Sequence, residues 1–191
     1  RTRLRAHSQV LGWTELGEDC DVFSYAIVGG LPQDFHYKGE RSYCKVGNRV
    51  MFREGSSVHR GTYPDSATEV GDDTVFLTNA HAGHNCVIGR SVQIQHAALL
   101  AGHVTVHDRA IIGAAAMAHQ FLRIGSLAFV APNTRLTMDV PPFLMAFGES
   151  TVVQHNVVGM RRAGYSKEDL LEIREAFRTL YRRGMLFRAA I

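Results

Sequence analysis

The stretch Asn79-Ala-His-Ala-Gly-His-Asn-Cys-Val-Ile-Gly89 sets two histidines three residues apart within a repeat of six residues. The same period continues on both sides of it, because every sixth residue from Val70 to Leu136 is apolar. The twelve positions are Val70, Phe76, Ala82, Ile88, Ile94, Leu100, Val106, Ile112, Ala118, Ile124, Val130 and Leu136. So regular a run predicts one repetitive fold that holds the two histidines in place.

A second column of small or apolar residues lies two positions before the first, from Thr68 to Thr134. Side chains two residues apart on a strand point to the same side, so each hexad predicts a short strand with two inward residues. Glycine often follows the apolar position, as at Gly71, Gly83 and Gly89, where a sharp corner requires a positive φ or a close backbone approach. This pattern is typical of a parallel β-helix, in which three hexads make one coil and residues eighteen apart stack.

The stacking rule places His84, Gly102 and Gln120 in one outward-facing column, because they are eighteen residues apart and none is at an inward position. His103 and His119 lie one residue away from this column. A histidine can accept or donate a proton near neutral pH, and a glycine leaves its backbone amide uncovered. We therefore predict a functional site on this outer edge.

Composition limits the classes of protein to consider. At 191 residues with 46% hydrophobic content, the chain can bury one core, which suggests a single solenoid domain with an appendage. The net charge of +3 is mild and no basic stretch alternates with aromatics, so nucleic acid is not an expected partner. Cys20, Cys44 and Cys86 cannot all pair and lack metal spacing, which favours a reducing, cytoplasmic location. No apolar run is long enough to predict a membrane span.

The repeat also predicts the domain organisation. Its phase is already present at Leu4, and the chain opens without an initiator Met, so we expect a fragment whose upstream coils are missing. We predict a β-helix domain over residues 1–142, with loops at about 31–45 and 61–67. In these loops polar residues or proline occupy the beat positions, which is our name for the apolar position that recurs every six residues. Loops on a rigid scaffold often carry binding residues, and Asp34 lies in the first of them.

The two prolines at 141 and 142 remove strand hydrogen-bond donors and end the predicted β-helix. Residues 143–191 are predicted as an irregular linker to about residue 160 followed by a helical region. A helix should begin near Ser166, a favourable N-cap followed by two acids. Its apolar stripe consists of Leu170, Ile173, Phe177 and Leu180. Its opposite face carries Arg174, Arg178, Arg182 and Arg183, as either a solvated surface or a landing surface for an acidic protein.

In combination these motifs resemble the acyl-carrier-protein-dependent UDP-N-acetylglucosamine O-acyltransferases, which start lipid A synthesis in Gram-negative bacteria. The resemblance extends from Leu4 to about Gly184. It is carried by Gln33-Asp34, His59-Arg-Gly-Thr62, Asn79-Ala-His-Ala-Gly-His84, Leu100-Ala-Gly-His-Val104, His119-Gln-Phe121, Asp139-Val-Pro-Pro142 and Arg161-Arg162. It implies a mainly β protein, a left-handed parallel β-helix with a short C-terminal α-helical segment, assembled as a homotrimer.

The resemblance also implies roles for individual residues. His84 would be the general base that takes the proton from the glucosamine 3-hydroxyl as it attacks the thioester of a 3-hydroxyacyl chain. Gly102 would donate its backbone N–H to the developing oxyanion. No metal or cofactor of the enzyme is implied, because the phosphopantetheine is carried by the acyl-carrier protein. The implied substrate contacts are Asp34 and His103 to the sugar, His81 near the diphosphate, His119 and Gln120 in the acyl and pantetheine groove, and Asn156 and Arg162 to the nucleotide.

The sequence departs from the family pattern at six positions. His36 stands where a lysine is usual, Asn85 replaces the acid after the base histidine, Val158 replaces a glutamate, Ala163 replaces a second basic residue, and Ala131 and Pro132 replace glycines of the acyl channel. These changes leave the chemical pair intact. We expect them to loosen nucleotide binding and to shorten the accepted acyl chain, unless the chain uses a different nucleotide sugar.

Three other functions fit the repeat. The first is a related acyltransferase that acts on a different nucleotide sugar or N-acylates an amino sugar. The second is a metal-dependent hydratase with three histidines converging on zinc across an interface, although His81 and His84 are three apart rather than five. The third is a non-catalytic trimeric scaffold.

Overall fold

The computed structural model describes residues 1–182, which form short strands and two helices. In chain order the strands are β1 (Arg3–Leu4), β2 (Gln9–Val10), β3 (Trp13–Leu16), β4 (Asp21–Val22), β5 (Ile27–Gly30), β6 (Tyr43–Val46), β7 (Met51–Phe52), β8 (Ser57–His59), β9 (Ala67–Val70), β10 (Val75–Phe76), β11 (His81–Ala82), β12 (Val87–Ile88), β13 (Gln93–Ile94), β14 (Leu99–Leu100), β15 (Thr105–Val106), β16 (Ile111–Ile112), β17 (Met117–Ala118), β18 (Arg123–Ile124), β19 (Phe129–Val130), β20 (Arg135–Leu136), β21 (Leu144–Phe147) and β22 (Thr151–His155). The helices are α1 (Val157–Arg162) and α2 (Lys167–Tyr181).

Three parallel sheets form the faces of a triangular prism. Up to β20 each face takes every third strand: the first runs from β1 to β19, the second from β2 to β20 and the third from β3 to β18. β21 and then β22 extend the first face beyond β19. His81 pairs with Leu99 and Leu99 pairs with Met117, so residues eighteen apart are in register, as predicted. The winding is that of a left-handed β-helix, against the right-handed crossover usual for parallel strands.

The two inward columns of the repeat form the core. All twelve residues of the first column, from Val70 to Leu136, are at most 4% exposed, and those of the second column, from Thr68 to Thr134, at most 8%. Burial of this apolar surface stabilises the prism by roughly 25 cal/mol per Å². The predicted inward pattern is therefore confirmed over these coils, whereas Leu4, in the first strand, is exposed.

The sequence left two reasons for glycine at the corners, a positive φ or a close backbone approach, and the turns between strands show which one applies. From Val70 to Val130, the third residue after each apolar beat position has a positive φ, such as 58° at Asn85 and 61° at His103. The N–H of His103 donates to the carbonyl of His84 in the previous coil at 2.9 Å, which helps to offset the cost of this conformation. The glycine directly after the beat position is required by a close backbone approach and not by a positive φ, because a Cβ on Gly83 would lie 2.8 Å from the Gly102 nitrogen.

Two insertions interrupt the prism without changing its phase. Tyr43 pairs with a residue thirty positions earlier and Ala67 with one twenty-four earlier, so residues 31–42 and 61–66 add twelve and six residues to the coil of eighteen. Both insertions are multiples of the hexad, which explains why the beat resumes unchanged. They leave the prism after β5 and β8, at the corner where His84 follows β11. The loops end earlier than predicted, because β6 begins at Tyr43 and β9 at Ala67.

The region after the two prolines is more regular than predicted. Val140 forms a parallel bridge with Ile124, and β21 continues the first face by pairing in parallel with β19. β22 then pairs antiparallel with β21 and leads into α1. The expectation of an irregular segment up to residue 160 was wrong, because the N–H and C=O groups of this segment complete the last coil. The division of the chain at residue 142 stays a prediction.

α2 begins as predicted. The Ser166 hydroxyl accepts from the Asp169 N–H at 3.1 Å, and the Asp169 carboxylate accepts from the Ser166 N–H at 2.8 Å, which completes a capping box. Leu170 and Phe177 of the predicted stripe are buried, whereas Arg183 of the opposite face lies outside the described residues. Neither helix within residues 1–182 is both long enough and apolar enough to cross a lipid bilayer.

Candidate active site

The imidazole of His84 lies over Gly102 of the next coil, at the corner between the second and third faces. Its ring fills the space that a side chain at position 102 would need. The Gly102 carbonyl accepts from the Phe121 N–H at 3.2 Å, but among residues 1–182 no acceptor takes the Gly102 N–H. A proton acceptor and an uncommitted amide donor therefore stand one coil apart, as the stacking rule predicted.

Asn85 fixes which nitrogen of His84 carries the proton. The Asn85 Oδ1 atom accepts from the Thr62 backbone N–H at 2.9 Å, so it must be the oxygen of the amide. The same oxygen lies 3.0 Å from His84 Nδ1, which must therefore donate to it. In the neutral ring Nε2 is then the unprotonated nitrogen and the available base. The departure from an acid at this position thus preserves the orientation of the ring.

Asp34 reaches this corner from the loop of residues 31–42. Its Oδ2 lies 3.6 Å from His84 Nε2, too far for a direct hydrogen bond but close enough for one hydroxyl group to contact both. The backbone N–H of His36 and then its imidazole, both 2.9 Å from Oδ1, lower the pKa of Asp34. The carboxylate is therefore ionised at neutral pH and faces the base as an acceptor.

His81 continues the polar corner toward the earlier coils. Its Nδ1 lies 2.8 Å from the Ser57 hydroxyl, and its ring packs edge-on against His59 with centroids 4.7 Å apart. Burial lowers the pKa of His81, and burial followed by the charges of His81 and His84 lowers the pKa of His59 to about 4. Both rings are therefore neutral near pH 7. His59 belongs to the motif His59-Arg-Gly-Thr62, but the sequence predicted no role for it.

His103 closes the corner on the other side. Its ring is edge-on to His84 with centroids 5.2 Å apart and stacks on Phe121 at 4.7 Å. Burial, followed by the charge of His84, lowers the pKa of His103. His119 and Gln120 follow in the next coil, both exposed, and His119 Nδ1 lies 3.3 Å from the Gln120 carbonyl.

Arg60 is a buried cation that ties the loop to the prism. Its guanidinium lies between the rings of Trp13 and Tyr37, with centroid distances of 5.5 and 5.6 Å. Nη2 donates to the Tyr37 hydroxyl at 2.7 Å and Nη1 to the Gly29 carbonyl at 3.4 Å, while Nε has no partner among the described residues. Tyr37 is three residues from Asp34, so Arg60 helps to place the carboxylate over His84.

The two residues predicted to meet the nucleotide lie elsewhere. Asn156 and Arg162 line a cavity of about 710 Å³ between the first face of the prism and the segment from β22 to α1. Asn156 is buried in its wall, because its amide donates to the Leu127 carbonyl and accepts from the Gly159 N–H, both at 2.9 Å. Arg162 is exposed to the cavity.

Seven of the nine predicted site residues thus form two groups within one chain, while His119 and Gln120 lie exposed in the coil after Gly102. Asp34, His81, His84, Gly102 and His103 share the corner between the second and third faces. The nucleotide group belongs to the first face and its cover, and none of the corner residues lines that cavity.

Comparison with known proteins finds relatives over most of this chain. A curated acyl-[acyl-carrier-protein]–UDP-N-acetylglucosamine O-acyltransferase of Burkholderia lata is 40% identical over 177 residues, which cover 92% of this chain and 68% of that relative. This chain belongs to the UDP-N-acetylglucosamine O-acyltransferase family. A family model described as "Udp N-acetylglucosamine O-acyltransferase; Domain 2" matches residues 139–191. A Synechocystis acyltransferase of the same description is 38% identical over 183 residues, which cover 95% of this chain and 66% of the relative.

Solved structures of UDP-N-acetylglucosamine acyltransferases have the same fold. That of Francisella novicida superposes with a TM-score of 0.93 at 33% identity, over 99% of this chain and 70% of the other. That of Arabidopsis gives a TM-score of 0.91 at 30% identity, over 99% of this chain and 77% of the other. The chain therefore spans about two thirds of the length of its curated relatives.

A metal-dependent hydratase of the kind considered above would take its ligands from two chains, so the residues of one chain test only whether a single chain supplies a ligand set. No group of three or more His, Cys, Asp or Glu side chains within residues 1–182 is arranged so that it could hold a metal ion. His81 and His84 bond instead to Ser57 and Asn85. The Nδ1 atom of each ring therefore has a partner within the chain.

Proposed function

We propose that this chain transfers a 3-hydroxyacyl group from acyl-carrier protein to the 3-hydroxyl of UDP-N-acetylglucosamine, the first step of lipid A biosynthesis. The observation that carries the proposal is the stacking of the His84 ring on Gly102, whose N–H has no acceptor among the described residues. An alcohol is a poor nucleophile near neutral pH, and a positioned general base assists its attack by about 10² to 10⁴. One oriented amide donor at the oxyanion contributes a further 10² to 10³, approximately.

In the proposed reaction the substrate alcohol lies between His84 and Asp34. His84 Nε2 takes its proton while the oxygen attacks the thioester carbonyl, so that a carbon–oxygen bond forms. The carbonyl oxygen becomes negatively charged and accepts from the Gly102 N–H. Collapse of this intermediate breaks the carbon–sulfur bond, and the imidazolium returns the proton to the departing thiolate. No cofactor of the enzyme enters, since the phosphopantetheine arrives with the carrier protein.

We also propose a homotrimer in which each site is shared between two chains. The corner with His84 lies between the second and third faces, whereas the cavity with Arg162 lies on the first face, so we infer that a substrate bound to one chain does not reach both. A neighbouring prism that presents its first face to this corner would complete the site. The three cysteines are unpaired thiols, which supports the further proposal of a cytoplasmic enzyme.

Acyl transfer tests the reaction directly. The protein is incubated with UDP-N-acetylglucosamine and a series of 3-hydroxyacyl-carrier thioesters of increasing chain length, and the product is analysed by mass spectrometry and by alkaline lability of the ester. We expect an O-acylated product with wild type and a loss of at least about 10²-fold with His84→Ala. Undiminished transfer by this variant would show that His84 is not the base, and an amide product would favour N-acylation of an amino sugar.

Mixed assemblies test the shared site. Chains carrying His84→Ala and chains carrying Arg162→Ala are produced together with different affinity tags, and the doubly tagged assemblies are isolated. Each variant alone should have little activity at low UDP-N-acetylglucosamine, whereas mixed assemblies should regain part of it, since some interfaces then combine an intact His84 with an intact Arg162. Mixed assemblies no more active than the parents would contradict a shared site.

A further inference from the structure

The cavity next to α1 is lined by two arginines, Arg109 and Arg162, and the sequence predicted a role only for Arg162. Arg162 ends α1, whereas Arg109 lies on the prism, in the turn between β15 and β16. The volume of about 710 Å³ is typical of a small-molecule site. The two cations therefore reach the same cavity from two separate parts of the chain.

The charge of this cavity is not balanced by the protein. Within residues 1–182 neither Arg109 nor Arg162 forms an ion pair or a side-chain hydrogen bond, and no Asp or Glu is among the lining residues. Burial, followed by the charge of Arg174, lowers the pKa of His155 in the cavity wall, so this ring is neutral near pH 7. Two unpaired guanidinium groups thus give the cavity a double positive charge.

Other arginines on the prism show that this lack of pairing is not general. Arg49 donates to the Asp73 carboxylate at 2.6 Å, and Arg123 donates to Asp139 at 2.9 Å. Both of these pairs lie on the surface of the same solenoid. Arg109 and Arg162 have no such carboxylate partner among residues 1–182, and they share one cavity, so both are available to a single anion there.

The remaining lining suits a ligand with an apolar or aromatic part next to its negative charge. Ile111, Phe129 and Met145 contribute the apolar floor on the first face, and Gln93 and Gln154 contribute amide groups. A nucleoside diphosphate has this composition, with a flat base and two adjacent phosphates. Guanidinium groups bind phosphate oxygens in pairs of parallel hydrogen bonds, so two arginines match two phosphates.

We propose that Arg109 is a second phosphate-binding residue of this site and holds, together with Arg162, the diphosphate of the sugar nucleotide. The inference rests on the proposed function, because it names a further residue for the same substrate. Ala163 lines the same cavity without a charge, so Arg109 is the second cation there. Since Arg109 comes from the prism and Arg162 from α1, the diphosphate also bridges these two parts.

Binding of UDP-N-acetylglucosamine, UDP and uridine to Arg109→Ala, Arg109→Lys and wild type, measured by titration calorimetry at two salt concentrations, tests this role. We expect Arg109→Ala to raise Kd for UDP and for the sugar nucleotide about tenfold or more, and to leave uridine binding unchanged. Arg109→Lys should recover part of the affinity, because the charge remains while the paired geometry is lost. The salt dependence of UDP binding should decrease in Arg109→Ala.

Arg90→Ala is the matched control. Arg90 is exposed, its carbonyl accepts from the Arg109 N–H at 2.9 Å, and it does not line the cavity. Equal UDP affinity in wild type and Arg109→Ala, or an equal loss in Arg90→Ala, would overturn the inference. If wild type transfers acyl groups and Arg109→Ala binds UDP normally, the inference fails while the proposed function stands. If UDP binding depends on Arg109 but no acyl transfer occurs, the inference is supported and the proposed function fails.

Discussion

A Cβ atom on Gly102 would lie 2.5 Å from both Cε1 and Nε2 of His84, so the imidazole stands where a side chain at position 102 would have to be. Gly102→Ala must therefore displace the ring from the amide it covers. We expect kcat/KM for acyl transfer to fall by about 10²-fold or more, because the base and the oxyanion donor lose their alignment. Since a side chain can move aside, the melting temperature should change little.

Gly83→Ala is the matched comparison for that variant. A Cβ on Gly83 would meet backbone atoms, 2.8 Å from the Gly102 nitrogen and 2.9 Å from the Ala101 carbonyl carbon. Because backbone cannot rotate away, we expect this variant to lose about 1–3 kcal/mol of unfolding free energy. Wild-type kcat/KM in Gly102→Ala would contradict the arrangement of ring over amide.

Asn85 should control the orientation and the proton of His84. In Asn85→Ala the His84 Nδ1–H loses its acceptor, so we expect kcat to fall by about tenfold to a hundredfold with little change in the pH profile. In Asn85→Asp a carboxylate beside the ring favours the imidazolium, so the acidic limb of kcat/KM should move to higher pH. The two profiles are measured from pH 5 to 9, and identical profiles for wild type and Asn85→Asp would refute the contact.

His59 should make the stability of the fold depend on pH. Burial lowers its folded-state pKa from 6.5 to about 4, so the unfolded chain takes up the proton first as the pH falls. The free energy of unfolding should therefore be largest above about pH 6.5 and decrease toward pH 4, by an amount on the order of 3 kcal/mol from this residue. Urea unfolding at several pH values measures it, with His59→Gln expected to reduce the decrease.

His107→Gln provides the control for that experiment, because His107 is exposed. It should leave the pH dependence as in wild type. Part of the decrease should also persist in His59→Gln, since burial lowers the pKa values of His81 and His103 as well. A pH dependence that is the same in wild type and His59→Gln would rule out His59 as its source.

The repeat predicts the fold and half of the site for one physical reason. In a closed prism the position of a residue depends only on its place in the hexad and on the number of coils, so His84 and Gly102 could be placed by counting. Asp34 could be assigned to a loop but not placed over His84, because the path of an insertion is not fixed by the period. The contact of Thr62 with Asn85 was missed for the same reason.

Arg109 was missed because corner positions face solvent and obey no apolar rule. What makes it relevant is the later segment from β22 to α1, which folds back over the first face and converts an open turn into the edge of a cavity. No spacing in the sequence predicts that the segment from β22 to α1 folds back over the first face. The buried environment of Arg60 could not be predicted from the sequence either. Its ring partners Trp13 and Tyr37 come from a strand and from an insertion, and no repeat relates these two positions.

Arg60 should act on the reaction through Asp34, because the Arg60 guanidinium donates a hydrogen bond to Tyr37, which lies in the same loop as Asp34. In Arg60→Met the cation is lost while the length of the side chain is kept, so we expect KM for UDP-N-acetylglucosamine to rise about tenfold and kcat to change less. Tyr37→Phe removes only the hydroxyl and should give a smaller rise. If Arg60 works by holding the carboxylate in place, Arg60→Met should add little to the effect of Asp34→Asn. Fully additive effects in this double-mutant cycle would show that Arg60 stabilises the prism without positioning Asp34.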